Sequence, residues 1–267
     1  MTPKDRNNKK APVADPQRYR APALEKGLDI LELLVAEHSD LSLSNIAQKL
    51  GRSTGELFRM IQVLERRGFV EQSHESGAYR LSGRLLSLGM DQPMVKTLVE
   101  IALPHMRQLA LEIGQSCHLA MHSEGQIVVV ARMESAEMIG FSVRTGYRRP
   151  LMHTLSGAIL YAFQPQVTRQ RWEEYWRPRP STEQLNVFRA KADRIRKRGH
   201  AQQNSEFVQG VIDISAPIVR DDIAAAALTV PFLSSTSPAR SLEESIPDLV
   251  AAARAISSGL MLSDQRV

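Results

Sequence analysis

The sequence predicts an α+β chain: a small helical domain that ends in a hairpin, a linking helix, and a larger antiparallel sheet flanked by helices. Three observations carry this expectation. Apolar residues recur at helical spacing in three short segments between residues 23 and 67. Two short alternating runs then bracket a turn-like His74-Glu75-Ser76-Gly77. From residue 104 to 263, strand-like and helix-like runs take turns. A chain of 267 residues is long enough for two domains with separate cores.

The first helix spans about Ala23 to Glu37, where Leu24, Leu28, Leu31 and Val35 form one stripe. The second spans Leu43 to Leu50, with Ser42 as N-cap and Gly51 as C-cap; Leu43, Ile46, Ala47 and Leu50 share a face. The third opens on Ser53 and Glu56, spaced as a capping box, and runs to about Arg67 before Gly68. Leu57, Met60, Ile61 and Leu64 are its core stripe, and Arg59, Gln62 and Arg66 lie opposite. The hairpin pairs Phe69–Gln72 with Ala78–Leu81. Helix, helix, tight turn, helix, hairpin is the order of a winged helix-turn-helix.

Composition narrows the function classes. Hydrophobic residues make up 43% and charged residues 24%, a globular balance without an eighteen-residue apolar run, so no membrane span is expected. Residues 1–20 lack the apolar core of a secretory signal, and the single Cys117 excludes an internal disulfide framework; both point to the cytoplasm. Residues 1–21 are expected to be a disordered basic tail, with Lys4, Arg6, Lys9, Lys10, Arg18 and Arg20 against Asp5 and Asp15. Such a tail serves either as an arm on DNA phosphates or as a solubilising segment.

A helix held across a first helix can enter a major groove. The residues at its start, Ser53, Thr54, Glu56 and Arg59, are then the candidates for base edges, since Arg pairs with guanine and Glu accepts from cytosine. Ser42, Ser44 and Arg52 are placed for phosphates. In the wing, Tyr79 and Arg80 can follow the backbone. Two readings stay open for several of these. Glu56 and Ser42 also serve as caps, and Tyr79 can pack beneath the hairpin. Residues 21–90 hold eight Lys/Arg against nine Asp/Glu, so binding depends on where the charges sit.

At this point the chain resembles the IclR family of bacterial regulators. The blocks Ala23–Leu34, Leu41–Ala47, Phe58–Val70 and Gly77–Leu81 are colinear with that family's reading head. Arg149–Leu151 through Thr154 to Ala162, and Gly210–Val219 followed by Ala224–Val230, resemble its second domain, so the likeness spans about residues 22–262. Gly55-Glu56 replace the Ser-Thr that often opens the recognition helix. Met152 stands where the family histidine is expected, with His153 shifted by one, and the late-strand cysteine is replaced near Asp213.

The resemblance implies a winged helix-turn-helix over 22–84, a linker helix over 85–103, and a GAF-like effector-binding domain over 104–263. In the last, strands are expected near Cys117–His122, Ile127–Arg132, Ile139–Arg144, His200–Glu206, Val211–Val219 and Ala224–Phe232. Helices are expected near Thr154–Phe163, Thr168–Trp176, Thr182–Arg198 and Leu242–Leu260. The pocket should lie between the sheet and the helix that starts at Thr154. Thr154, Leu155 and Ser156 would hold a carboxylate on helix amides. Arg148 would add a charge-assisted bond. Phe141 and Tyr147 would form an apolar wall, with Val211, Asp213, Ser215 and Thr229 completing the set.

An enzyme reading rests on Cys117, His118, His122 and His153. Adjacent strand residues face opposite ways, so Cys117 and His118 cannot share a metal, and His118 and His122 are four strand residues apart. No zinc-type spacing, P-loop or nucleophile elbow is present. The expected protein therefore has no catalytic residue, metal or cofactor. It is expected to regulate transcription on double-stranded operator DNA, as a repressor under a small organic-acid effector and as a homodimer or dimer of dimers; the sequence leaves activation open, and also a second domain that serves only in assembly.

Overall fold

The computed structural model of the chain describes residues 21–37, 39–234 and 239–264. The basic segment at 1–20 lies outside these residues. The chain divides into two compact units between Met90 and Asp91.

Unit 1 contains α1 (Pro22–Ala36), α2 (Leu43–Leu50), α3 (Thr54–Arg66), β1 (Val70–Gln72), β2 (Tyr79–Leu81) and α4 (Arg84–Met90). Ser42 Oγ accepts from Asn45 N at 3.2 Å to start α2, and Gly51 closes it in the left-handed region at φ 62°. Ser53 and Glu56 form the capping box of α3, as the spacing predicts. β1 and β2 pair antiparallel, and Leu41 bridges to Tyr79, tying the segment before α2 to the hairpin.

The α1 stripe differs from expectation. Ile30 and Leu34 are the buried residues of α1, joining Leu41, Ile46, Leu57, Ile61, Val70 and Tyr79 in the core. Leu24, Leu28 and Val35 are exposed. α1 carries two apolar faces, and periodicity cannot say which of them meets α2 and α3.

The linking helix expected over 85–103 is two helices, α4 and α5 (Pro93–Ile113). Pro93 has no N–H and disfavours the α region at Gln92, so the chain breaks there and restarts with proline in the first turn.

Unit 2 is built on a six-stranded antiparallel sheet in the order β5-β4-β3-β8-β7-β6. Its strands are β3 (Cys117–Ser123), β4 (Gln126–Met133), β5 (Arg148–Pro150), β6 (Ala201–Asn204), β7 (Val211–Arg220) and β8 (Ile223–Leu233). α5 and α9 (Leu242–Asp264) pack on one face. Gly259 is required there, because a Cβ would stand 2.6 Å from Ile101 Cγ2. On the other face lie α6 (Leu155–Ala162), α7 (Gln166–Tyr175) and α8 (Thr182–Arg198). Every residue of α6 is buried.

The strand expected at Ile139–Arg144 is absent. The edge of β4 is already taken by the following segment: Gly146 N donates to Val129 O at 2.8 Å, Val129 N to Tyr147 O at 3.0 Å, and β5 continues the ladder. Residues 139–144 instead run as irregular chain. Among the described residues, no helix is long and apolar enough to cross a membrane.

Candidate functional site

Two sites stand out, one in each unit. In unit 1, α3 presents Thr54, Gly55, Phe58, Arg59, Gln62 and Arg66 to solvent, while Leu57 and Ile61 are fully buried. Ser44 is exposed on α2. This is a helix anchored by one face with its opposite face open. Phe58, which the sequence reading passed over, is 48% exposed. Its signal was an aromatic residue one position off the buried stripe.

Several expected contacts are engaged within the unit. Glu56 accepts from Ser53 N at 3.2 Å and pairs with Lys26 Nζ at 2.9 Å. The Lys26 hydrogen bond foremost, with the Ser53 amide behind it, lowers its carboxyl to about 2. A cytosine contact would have to break both bonds, so the structure assigns Glu56 to the cap. Tyr79 is buried and packs beneath the hairpin, and burial raises its phenol. It is not a wing contact. Arg52 pairs with Asp29 at 2.9 Å and Arg80 with Glu71 at 2.7 Å. Each guanidinium has five donors and stays partly exposed, so a phosphate can still be met.

In unit 2, a cavity of about 280 Å³ lies between the sheet and the start of α6. Seven of the ten expected residues line it: Phe141, Tyr147, Thr154, Leu155, Ser156, Asp213 and Thr229. The roof is built by Thr154, whose Oγ1 accepts from Gly157 N at 3.0 Å and donates to Leu151 O at 3.3 Å. The first amides of a helix have no intrahelical acceptor, and Leu155 and Ser156, the first two residues of α6, both line the cavity. At the other end of α6, the guanidinium of Arg169 donates to Ala162 O, and Arg196 reaches the same oxygen at 3.3 Å. Cations on the C-terminal carbonyls complement the helix dipole and leave its positive end at the cavity.

Three expected residues do not line it. Arg148 sits opposite Val128 on β4 and pairs with Glu124 at 3.8 Å. Strand alternation sends it away from the face of Ile127, which the cavity shares. Arg144, on the irregular segment, lines the cavity. Val211 is buried in the sheet. Ser215 is fully buried and touches the cavity only through Thr229 Oγ1, 2.7 Å away.

Residues missed from sequence include His118, Gln203, Glu206 and Phe207. β3 and β8 place His118 directly opposite Thr229, a pairing visible only once the sheet order is known. Burial lowers the His118 imidazole to about 4, and its Nδ1 has no partner. Burial also raises the Asp213 carboxyl to about 6, opposed by a hydrogen bond from Ser205 and aided by Glu206. These two shifts act in opposite directions on stability. A depressed histidine stabilises the fold above its unfolded value near 6.5, and that contribution is lost as pH falls through about 4. A raised carboxyl stabilises below its unfolded value near 3.8, and that contribution is lost as pH rises through about 6. Between pH 4 and 6 the slopes oppose. Thermal melts should therefore show Asp213→Asn losing stability more steeply than the parent as pH drops, and His118→Gln losing it more steeply as pH rises. Identical pH profiles for the two variants would refute the assignment.

The other reactive side chains have structural roles. Cys117 is buried, its thiol raised to about 12 by burial, and Sγ lies 3.6 Å from Met106 O. His122 stacks on Trp172 with ring centroids 3.7 Å apart and accepts from Gly125 N at 3.0 Å. Among the described residues no group of three His, Cys, Asp or Glu is placed to hold a metal.

Residues 94–258 match the family model described as bacterial transcriptional regulator IclR C-terminal, and residues 23–74 match the IclR helix-turn-helix domain. The chain is 32% identical over 202 residues to the glycerol operon regulatory protein of Streptomyces coelicolor, covering 73% of this chain and 78% of that protein. It is 26% identical over 255 residues to the HTH-type transcriptional regulator KdgR of Escherichia coli, covering 94% and 97%. An IclR homolog from Microbacterium hydrocarbonoxydans, crystallised with 4-hydroxybenzoate, shares the fold with a TM-score of 0.75 at 22% identity, covering 90% of this chain and 99% of that one. These relatives and domains are transcriptional regulators rather than enzymes. The chain is a DNA-binding transcriptional regulator and belongs to the IclR family.

Proposed function

We propose that this regulator is a repressor controlled by a small organic acid bound in the cavity of unit 2. The observation that carries the reading is the cavity: apolar walls of Phe141, Val143 and Ile127, a helix N-terminus, and one guanidinium, Arg144. Residues 22–84 form the reading head, residues 85–103 link it, and residues 104–263 form the sensor. Thr54 and Arg59 reach base edges, Phe58 meets a thymine methyl, and Ser42, Ser44, Arg52 and Arg80 hold phosphates, while Ser53 gives both its N–H and its hydroxyl proton to Glu56. The protein acts in the cytoplasm as a homodimer or a dimer of dimers. The exposed Leu24, Leu28 and Val35 of α1 support a two-fold contact between reading heads. Effector binding shifts the population of head spacings that fit the operator. Repression is favoured because occluding a promoter needs DNA binding alone, whereas activation needs a further contact with polymerase.

Two measurements test this. Saturable thermal stabilisation by one class of small carboxylate, at concentrations that release operator DNA, supports the reading. Stabilisation by none, with operator binding unchanged by every acid, refutes effector control. Arg59→Ala, exposed and away from the core, should leave folding unchanged and weaken operator binding about ten- to hundredfold in gel-shift titrations. Unchanged affinity would remove Arg59 from the interface. A promoter fusion that rises on deletion of the regulator confirms repression, and one that falls rejects it.

A further inference from the structure

Unit 2 holds a second cavity, of about 520 Å³, which shares a single lining residue, His153, with the sensor cavity. It lies between the 3₁₀ turn Leu151–His153, the link from α7 to α8, and one face of α8. That face is Gln184, Val187, Phe188 and Lys191, spaced i, i+3, i+4 and i+7, so one helix supplies apolar and charged lining together. Trp176 and Phe188 meet edge to face, with centroids 5.6 Å apart, and are fixed in the core. The charged lining is mostly cationic. Arg177, Arg179 and Lys191 stand against Glu124, which is exposed and pairs with Arg148 at 3.8 Å. Arg177 Nη1 is held by Glu174 O and Trp176 O, both at 2.8 Å, which leaves the protons of Nε and Nη2 for a ligand. Arg179 has no hydrogen bond or ion pair among the described residues. Lys191 is half-buried and donates to Gln203 Oε1, and no carboxylate pairs with it among the described residues. Burial lowers its ammonium, against the pull of the Glu206 charge. An ammonium so placed gains from an anion beside it. Trp176 is 4% exposed, and its indole N–H has no partner. That edge lies beside Gly125, where a Cβ would stand 3.1 Å from Cδ1 and 3.7 Å from Nε1. The Gly125 N–H is spent on His122 and its carbonyl on Leu151 N, so neither meets the indole. A buried donor left unmet is uncommon and marks this wall as short of an acceptor.

The polar lining calls for acceptors and the rest for an apolar body. We propose that this second cavity binds a phosphate monoester, its phosphate on Lys191, Arg177 and Arg179 and its apolar body against Met152, Trp176 and Phe188. A phosphate dianion brings three acceptor oxygens to one ammonium and two guanidiniums, where a carboxylate brings two oxygens and a single charge. Inorganic phosphate would meet the cations and leave the apolar lining uncovered. The site requires neither effector control through the sensor cavity nor any particular operator contact.

The probes, given to the full-length protein, are phenyl, naphthyl and hexyl phosphate, with inorganic phosphate, the parent alcohols, and benzoate, naphthoate and heptanoate. Titration calorimetry should show at least one ester binding saturably, about tenfold or more tighter than inorganic phosphate and than its alcohol. Arg179→Gln and Lys191→Gln should each weaken that ester by about tenfold. Arg179 is exposed, so its variant reports even if the half-buried Lys191 cannot be replaced without loss of folding. Ester binding unchanged by Arg179→Gln and Lys191→Gln places the phosphate elsewhere and overturns the proposal. Equal affinity for inorganic phosphate overturns the apolar body. A carboxylate that binds as tightly as its ester, and is weakened by the same substitutions, overturns the phosphate in favour of a monoanion. A carboxylate indifferent to substitutions that weaken the ester supports two separate sites. If no ester binds, the second site falls, whatever the acids do at the sensor cavity.

Discussion

Gly157→Ala is expected to abolish effector-dependent stabilisation and to lower the stability of unit 2. An added Cβ would lie 2.1 Å from Leu151 O and 2.7 Å from Thr154 Oγ1. The first neighbour is backbone, fixed in the single 3₁₀ turn Leu151–His153, and cannot rotate aside. Either that turn opens or the first turn of α6 shifts. Both break the Thr154 cap and displace Leu155 and Ser156, which line the cavity. Overpacking costs about 1–3 kcal/mol and a lost cap about 1 kcal/mol, so a loss of about 3 kcal/mol is expected. For a unit of this size that lowers the melting temperature by about 10 °C. Gly55→Ala is the control. A Cβ there meets nothing within 4 Å, and in the first turn of α3 an alanine costs less backbone entropy than glycine, so melting should be unchanged or raised. Equal losses from the two substitutions would sink the close-packing account.

Leu24→Glu with Leu28→Glu is expected to leave each reading head folded and to weaken operator binding by about a hundredfold. Both side chains are exposed, at 63% and 48%, and neither belongs to the core of unit 1. Their cost falls on the proposed contact between heads. Two heads joined in register bind as one bivalent body, and losing that coupling costs on the order of 10² to 10⁴ in avidity. Fluorescence anisotropy on a full operator and on a half-site separates the outcomes. Weakening confined to the full operator supports the two-fold contact. Equal weakening on both places these leucines at the DNA, and no weakening removes them from either role.

Much of unit 1 was legible in the sequence because its determinants are local. Ser42, Gly51 and the Ser53–Glu56 box act within one helical turn, and the apolar stripes of α2 and α3 point where their spacing says. The α1 stripe was misassigned because that helix is apolar on two sides, and only the partners of Ile30 and Leu34 decide which side is core. The same division runs through the cavity. Thr154, Leu155 and Ser156 were readable from a cap at a helix start. Tyr147 and Arg148 were not separable, since adjacent residues on a short strand face opposite ways and the pairing of β5 on β4 sets which faces inward.

Local signals in the chain set most of the element order, the caps and the α+β layering, because hydrophobic period and hydrogen-bonding chemistry act over neighbouring residues; they did not reveal β5 or the break at Pro93. Long-range packing alone brings His118 opposite Thr229, puts Arg144 rather than Arg148 on the cavity, and commits Glu56 to Lys26. Each of these joins residues that a local pattern cannot relate. Strand register, the edge that β5 claims, and burial set them, and all three depend on the whole sheet or helix cluster being formed.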